Sequence, residues 1–285
     1  MWAVNYAVAR IAPGIISPHV LALGRWFLAG LILSIIARDE LWRERVSTLK
    51  AWPQYLVLGT LGMLICGAWV YWAGETTTAI NIALIYAASP VLITLGAVIG
   101  LKESFSSKQA AGVVIALLGV LHVVVKGQWV ALSQVVWVLG DGLIVAAMVS
   151  WAAYALLLKK WSSPLSSTAR LAATCMGGSI VLLPFAVFEW FATPHPGWSN
   201  SASALVLLAA IFPGVGAYWA YSFCQKTLGA SRVAASLYLG PLYGSLVGWF
   251  LLNESLGWHH AMGAALILPG IYLASQQPNS QKNQM

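Results

Sequence analysis

Of 285 residues, 60% are apolar and only 8% carry charge, where soluble domains carry about 25%. So few charges cannot cover a water-soluble fold of this size, which excludes a soluble enzyme, a DNA-binding module and a disordered protein. A helical span takes about 20 apolar residues, so the length suits an all-α integral membrane protein.

Apolar runs between polar punctuation predict ten spans, at 1–12, 19–37, 53–73, 78–101, 107–125, 139–158, 170–191, 203–224, 229–252 and 258–275. Very short turns join spans 4 and 5, and spans 9 and 10, which predicts antiparallel hairpins. Span 1 is short: twelve helical residues rise about 18 Å, less than a bilayer core of about 30 Å. The chain enters this run without a basic leader or cleavage site, so no cleavable signal peptide is expected. Cys66, Cys175 and Cys224 all lie in apolar runs. Their odd number and spacing predict neither a disulfide framework nor a metal site.

The net charge is +7. In a soluble protein that excess would suggest nucleic acid; here it fits basic loops on the cytoplasmic side. With the N-terminus inside, inner segments hold Arg38, Arg43, Arg45, Lys50, Lys102, Lys108, Lys159, Lys160, Arg170, Lys226, Arg232 and Lys282. Arg10, Arg25 and Lys126 fall towards the other side. Twelve against three is a positive-inside pattern, and it predicts both termini in the cytoplasm.

The halves resemble each other. Leu101-Lys-Glu-Ser is repeated as Leu252-Asn-Glu-Ser, an offset of 151. The same offset pairs Pro90 with Pro241, Gly112 with Gly263 and Gly119 with Gly270. Five spans per half is an odd number, so the second half enters the membrane upside down. The predicted architecture is ten transmembrane helices as two inverted five-helix repeats: 1–130, with its short first span, and 131–285, ending in a short polar tail. Inverted repeats are common in secondary transporters, which place the substrate near the midplane.

These residues, with Trp2, Asn5, Arg25-Trp26-Phe27, Gly140-Asp141 and Trp151-Ala-Ala-Tyr154, make the chain resemble the drug/metabolite transporter superfamily, in its ten-span EamA form. The resemblance covers nearly the whole chain. Its aromatic content looks most like the YddG-type aromatic amino acid exporters. The resemblance implies an inner-membrane exporter with a central cavity lined mainly by spans 1, 3, 4, 6, 8 and 9. It also implies an arginine at position 25, in a structural role.

The aromatics divide by depth. Trp42, Trp52, Trp129, Trp137, Trp161, Trp190, Trp198 and Trp258 lie near span ends, where an amphipathic ring is favoured. Trp151, Tyr154, Tyr86, Tyr238 and Tyr243 lie deeper, and a deep Tyr hydroxyl needs a partner or a wet cavity. Trp151 and Tyr154 share a helix face by their spacing; so do Trp69 and Trp72, and Tyr218 and Tyr221. The candidate substrate-binding set is Trp2, Asn5, Trp69, Tyr86, Trp151, Tyr154, Tyr218, Ser236, Tyr238 and Tyr243. Interhelical packing is the competing reading, and for Asn5 and Ser236 so is a cross-helix hydrogen bond, worth about 0.6 kcal/mol. Arg25, about one and a half turns into span 2, either snorkels outward or fixes the helix through carbonyls.

Pro90 and Pro241 lie mid-span, where proline removes a helical hydrogen bond; they are read as paired hinges, with static kinks as the alternative. Gly96/Gly100 and Gly240/Gly244/Gly248 form ladders for close helix approach. None of the eight acids stands at the centre of a span. Asp141 is read as a cap of span 6, and Glu103 and Glu254 as turn or capping groups. A proton relay or cation binder usually carries a central carboxylate, so facilitated movement is the simpler expectation, with coupling through His122 or a marginal acid as the alternative.

The expected function is export of small metabolites, chiefly aromatic and other neutral amino acids, by alternating access. A drug or nucleotide-sugar carrier on the same fold is the alternative, and a membrane sensor or assembly subunit the alternative from another class. No HExxH, paired aspartates or nucleophile–base set supports an intramembrane enzyme. No catalytic residue, metal or cofactor is expected. The partners are the small-molecule substrate and the bilayer, with the chain a monomer or weak dimer and no nucleic acid involved.

Overall fold

The computed structural model describes residues 11–74, 76–77, 79–134, 136–192, 197–252 and 256–276, with Val4, Asn5 and Val8. Most of span 1, including Trp2, lies outside these, as do Glu75, Glu254 and Lys282. Every described element is helical. In chain order they are α1 Pro18–Ile36, two short cytoplasmic-loop candidates α2 Arg38–Arg43 and α3 Arg45–Lys50, then α4 Trp52–Gly59, which runs through a π-helix, Thr60–Ala68, into α5 Trp69–Ala73. Next come α6 Ala79–Tyr86, α7 Ser89–Leu101, α8 Ser107–Val124, a 3-10 turn Trp129–Gln134 and α9 Leu139–Lys160. After them lie α10 Ser167–Ala192 and α11 Asn200–Ala209, the latter continued by a second π-helix, Ala210–Ala217, into α12 Tyr218–Leu228. Last come α13 Ala230–Ser236, a 3-10 turn Leu237–Leu239, α14 Gly240–Leu252 and α15 Trp258–Ala274. These bounds follow spans 2 to 10 as predicted. Seven continuous helical stretches among the described residues are long and apolar enough to cross a membrane.

Spans 4 and 9 are each broken. α6 ends at Tyr86 and α7 begins at Ser89; α13 gives way to a 3-10 turn before Gly240. Pro90 and Pro241 therefore stand in the first turn of α7 and α14, not in the helix interior. An N–H there has no intrahelical acceptor to lose. Element starts recur at one offset: Ala79 and Ala230, Ser89 and Gly240, Ser107 and Trp258 are each 151 residues apart.

The chain forms two compact units, and each takes chain from both sequence halves. Unit 1 is Met1–Glu75 with Lys160–Phe223. In it α10 packs along α1 and crosses α4. Small residues allow that crossing: a Cβ on Gly59 would stand 2.3 Å from the Gly178 nitrogen. Val8, Ala12, Ile16 and Leu21 pack with Ala202, Leu205, Val206 and Ala209 as a second apolar cluster.

Unit 2 is Thr76–Lys159 with Cys224–Met285. The closest packing of α8 is with α15, and α7 packs on α13. Chain neighbours α7 and α8 thus take their closest partners from elsewhere in the chain, while α6, the first part of span 4, packs on α8. The reason is the glycine pairs. Gly112 meets Gly270, and Gly119 meets Gly263, at distances where no side chain fits. Gly96 packs against Leu156, but Gly100 faces open space, so only half of that ladder makes a contact.

Helix N-termini leave N–H groups without intrahelical acceptors, and a carboxylate there also meets the positive end of the helix dipole. Three acids meet this need on helices distant in sequence. Glu40 accepts from the Ser166 N–H and hydroxyl, both at 2.6 Å, before α10. Glu189 accepts from the His19 N–H at 2.8 Å and the Val20 N–H at 3.3 Å in the first turn of α1. Glu103 accepts from the N–H groups of Ala230 and Ser231 and from the Ser231 hydroxyl, at 2.9, 3.1 and 2.7 Å, at the start of α13. Lys102 makes this last contact possible: its left-handed φ of 55° ends α7 and turns Glu103 aside. Asp141 caps its own helix by accepting from the Val138 N–H at 2.8 Å, and it also accepts from the Thr77 hydroxyl.

Candidate functional site

Arg25 is a buried charged residue well inside an apolar helix. It lies seven residues beyond Pro18, about 10 Å along the axis of α1, and is 3% exposed. It does not snorkel, and among the described residues it bonds no backbone carbonyl. Its Nη1 donates to Asn5 Oδ1 at 3.1 Å and to the Tyr71 hydroxyl at 3.2 Å. Tyr71 in turn donates to Asn5 Oδ1 at 2.5 Å. The guanidinium lies 4.3 Å from the centre of the Trp26 ring, a cation–π contact. Asn5 joins this group; Trp2 lies outside the described residues.

Both π-helices border the same group. π-helical turns are rare and concentrate at functional sites. A Cβ on Gly67, in the first, would stand 3.0 Å from Trp26 Nε1. A Cβ on Gly214, in the second, would stand 3.8 Å from Arg25 Cγ. The wider π turn and the missing side chains leave room for two large residues on α1. Tyr218 completes the surround. Its ring meets Trp26 edge-on at 4.7 Å, and its hydroxyl donates to the Gly62 carbonyl at 3.1 Å. Trp69 is half-buried at the start of α5.

In unit 2 the central feature is on α9. Trp151 and Tyr154 stack at 5.4 Å and 18° between ring planes. Both are buried, Trp151 to 6% exposure and Tyr154 completely. Gln225 closes the neighbouring turn by donating to the Ala155 carbonyl at 2.9 Å. Tyr86 is half-buried at the end of α6, just before the break preceding Pro90. Tyr238 sits elsewhere, inside the apolar cluster with Val113, Ala116, Val120 and Ile267. Its hydroxyl has no hydrogen-bond partner among the described residues. Ser236 is exposed and donates to the carbonyl of Val233 in its own helix, at 2.7 Å. Tyr243 is 55% exposed. The structure thus groups Asn5 with Tyr218's neighbour Trp26, and Trp151 with Tyr154, and leaves Ser236, Tyr238 and Tyr243 outside both groups.

Sequence reasoning passed over Tyr71 and Trp26 as site residues and gave Arg25 a structural role. One signal was present: a lone arginine inside an otherwise uncharged run. The π-helices left none, because their residues are those of any apolar span. His122 is buried between the rings of Trp129 and Trp258, at 5.8 and 5.2 Å. Among the described residues no group of three or more His, Cys, Asp or Glu is placed to hold a metal.

Long apolar helices, broken spans and acids engaged at helix ends define a multi-pass, all-helical membrane protein. The family model for the EamA-like transporter family matches residues 1–125 and 138–276, and the chain belongs to that family. It is a transporter, not an enzyme. It is 26% identical to an uncharacterized transporter of Archaeoglobus fulgidus, over 96% of this chain and 93% of that protein. It is 26% identical to the uncharacterized transporter YyaM of Bacillus subtilis, over 95% and 88%. A probable terminal-alkyne amino-acid exporter of Streptantibioticus cattleyicolor is also 26% identical, over 97% and 90%. One solved crystal structure superposes with a TM-score of 0.77 at 18% identity, covering 96% of this chain and 92% of its own; that likeness concerns the fold alone.

Proposed function

We propose that this transporter exports small metabolites, above all aromatic and other neutral amino acids, across the bacterial inner membrane, with both termini in the cytoplasm. The observation that carries the reading is the Trp151–Tyr154 stack at the middle of α9, an aromatic face suited to an aromatic side chain. The amino-acid exporter among its relatives supports the substrate class. Ten spans in two inverted repeats are supported by the recurring element starts and by two π-helices whose starts, Thr60 and Ala210, lie 150 residues apart. The family model's two matched stretches follow the same halves.

Movement is by alternating access. Rocking the sequence halves as rigid bodies would pull α8 from α15 at the Gly112–Gly270 contact, so the parts that move are the helices α7 and α14 of the broken spans. The breaks before Pro90 and Pro241 are the flexible points. Transport is facilitative: Glu40, Glu103, Asp141 and Glu189 are each bonded to a helix N-terminus, which leaves none of them as an unengaged mid-helix proton carrier.

Counterflow in proteoliposomes with a panel of labelled amino acids tests this. Exchange of phenylalanine, tyrosine and tryptophan in preference to charged amino acids is expected. Exchange of cationic drugs or nucleotide sugars, with no neutral amino acid moving, would overturn it. Buried Arg25 is the observation that favours the nucleotide-sugar alternative, since the phosphates of such a substrate need a cation.

A further inference from the structure

We infer that Arg25, with Asn5 and Tyr71, is an oxyanion-binding subsite that takes the α-carboxylate of the transported amino acid; the inference rests on the substrate class proposed above.

A guanidinium keeps its charge at any physiological pH. Removing it from water without a counter-charge is unfavourable, and proteins normally pair such a group. Arg25 is 3% exposed, yet its hydrogen bonds among the described residues go to neutral groups, Asn5 Oδ1 and the Tyr71 hydroxyl. Among the described residues the ion pairs are His19–Glu189 and Arg38–Asp39, and neither involves Arg25. The Trp26 ring gives partial compensation. The Arg25 Nε is buried and has no acceptor among the described residues. Among the described residues, Glu40, Glu103, Asp141 and Glu189 are engaged at helix ends.

The group is therefore one formal positive charge with an unused, fixed N–H. The guanidinium fork matches a carboxylate in a two-point contact. Asn5 and Tyr71 hold the fork in place through Nη1, and the Tyr71–Asn5 bond fixes both. The aromatic neighbours Trp26 and Tyr218 make a low-dielectric surround, where such a charge pair gains strength. A purely architectural arginine would be expected to bond backbone carbonyls or an acid; among the described residues this one does neither. An incoming carboxylate supplies the missing charge and an acceptor for Nε. A substrate lacking that carboxylate gains neither, which makes Arg25 a specificity determinant.

The test varies the ligand first, so that it does not depend on a variant folding. In counterflow with wild-type protein, phenylalanine is expected to compete at least tenfold better than phenylalaninamide or phenethylamine, which keep the ring and lose the carboxylate. Arg25→Gln and Tyr71→Phe, checked for insertion and thermal stability, are expected to raise the half-saturation concentration for phenylalanine about tenfold and threefold. Inhibition by the amide should not change. Equal competition by phenylalanine and its amide in the wild type overturns the subsite while leaving amino acid export standing. Exchange of no amino acid overturns the substrate class and the subsite with it. Competition by uridine diphosphate glucose alone assigns the guanidinium to a phosphate and likewise overturns the carboxylate.

Discussion

Gly112 and Gly270 meet backbone to backbone. A Cβ on Gly112 would lie 2.5 Å from the Gly270 carbonyl oxygen, and one on Gly270 would lie 2.8 Å from that of Gly112. Neither neighbour is a flexible side-chain end, so the clash has no cheap relief. Gly112→Ala should therefore destabilise unit 2 by about 1–3 kcal/mol, the usual range for overpacking. Gly100→Ala, whose Cβ meets nothing within 4 Å, should be neutral or stabilising, because alanine is the better helix former. Thermal unfolding of both variants in detergent makes the comparison; equal midpoints would refute the close approach.

Loss of a carboxylate cap should be felt on a helix far away in sequence. Glu103→Ala leaves the first N–H groups of α13 without acceptors and should cost about 0.5–2 kcal/mol. Hydrogen exchange should accelerate at Ala230 and Ser231. Asp39→Ala, in a surface pair with Arg38 whose side chains are 92% and 77% exposed, should leave the midpoint unchanged, since such pairs contribute little.

Trp151 is buried against Tyr154, so Trp151→Ala removes a packed ring as well as a substrate surface. Its loss of flux is expected, but loss of stability comes with it, about 3–5 kcal/mol for such truncations. Trp151→Phe keeps a ring and is the sharper variant: near-normal thermal stability with flux of aromatic amino acids reduced severalfold. Wild-type flux in correctly inserted Trp151→Phe protein would argue that the stack is packing alone.

Pro90 and Pro241 break no helical hydrogen bond where they stand. Pro90→Ala would let α6 and α7 join across Ala87 and Ala88, since the restriction that proline imposes on the preceding residue is lifted. Stability should hold or rise, and the transport rate should fall, with binding unaffected. A stopped-flow flux measurement at saturating substrate reads this; an unchanged rate would make the break a static feature.

Facilitative transport predicts that an imposed pH gradient moves no substrate uphill. Phenylalanine accumulation in proteoliposomes above the level set by its own gradient, driven by acid on one side, would show coupling. His122, held between Trp129 and Trp258, would then be the first residue to replace.

The amino-acid sequence by itself determined the helical membrane class and, to within a few residues, the ends of the helices between Pro18 and Ala274, because burial of apolar surface depends on local runs. It also located the glycine and proline punctuation, since a missing side chain or a missing N–H acts wherever it stands. It marked Glu103 as a turn or capping group and Arg25 as a lone charge. Contacts between distant segments were not legible. Glu40 and Glu189 read as loop and span-end charges until the fold brought Glu40 to the start of α10 and Glu189 to the start of α1. Gly112 and Gly263 match in sequence, yet Gly112 packs on Gly270, because two helices crossing antiparallel place the start of one against the end of the other. Only the tertiary structure decided that each packed unit draws on both halves, and that Arg25 meets Asn5 and Tyr71 with no acid paired to it among the described residues. Those outcomes depend on which helix faces come together, and no local pattern encodes that.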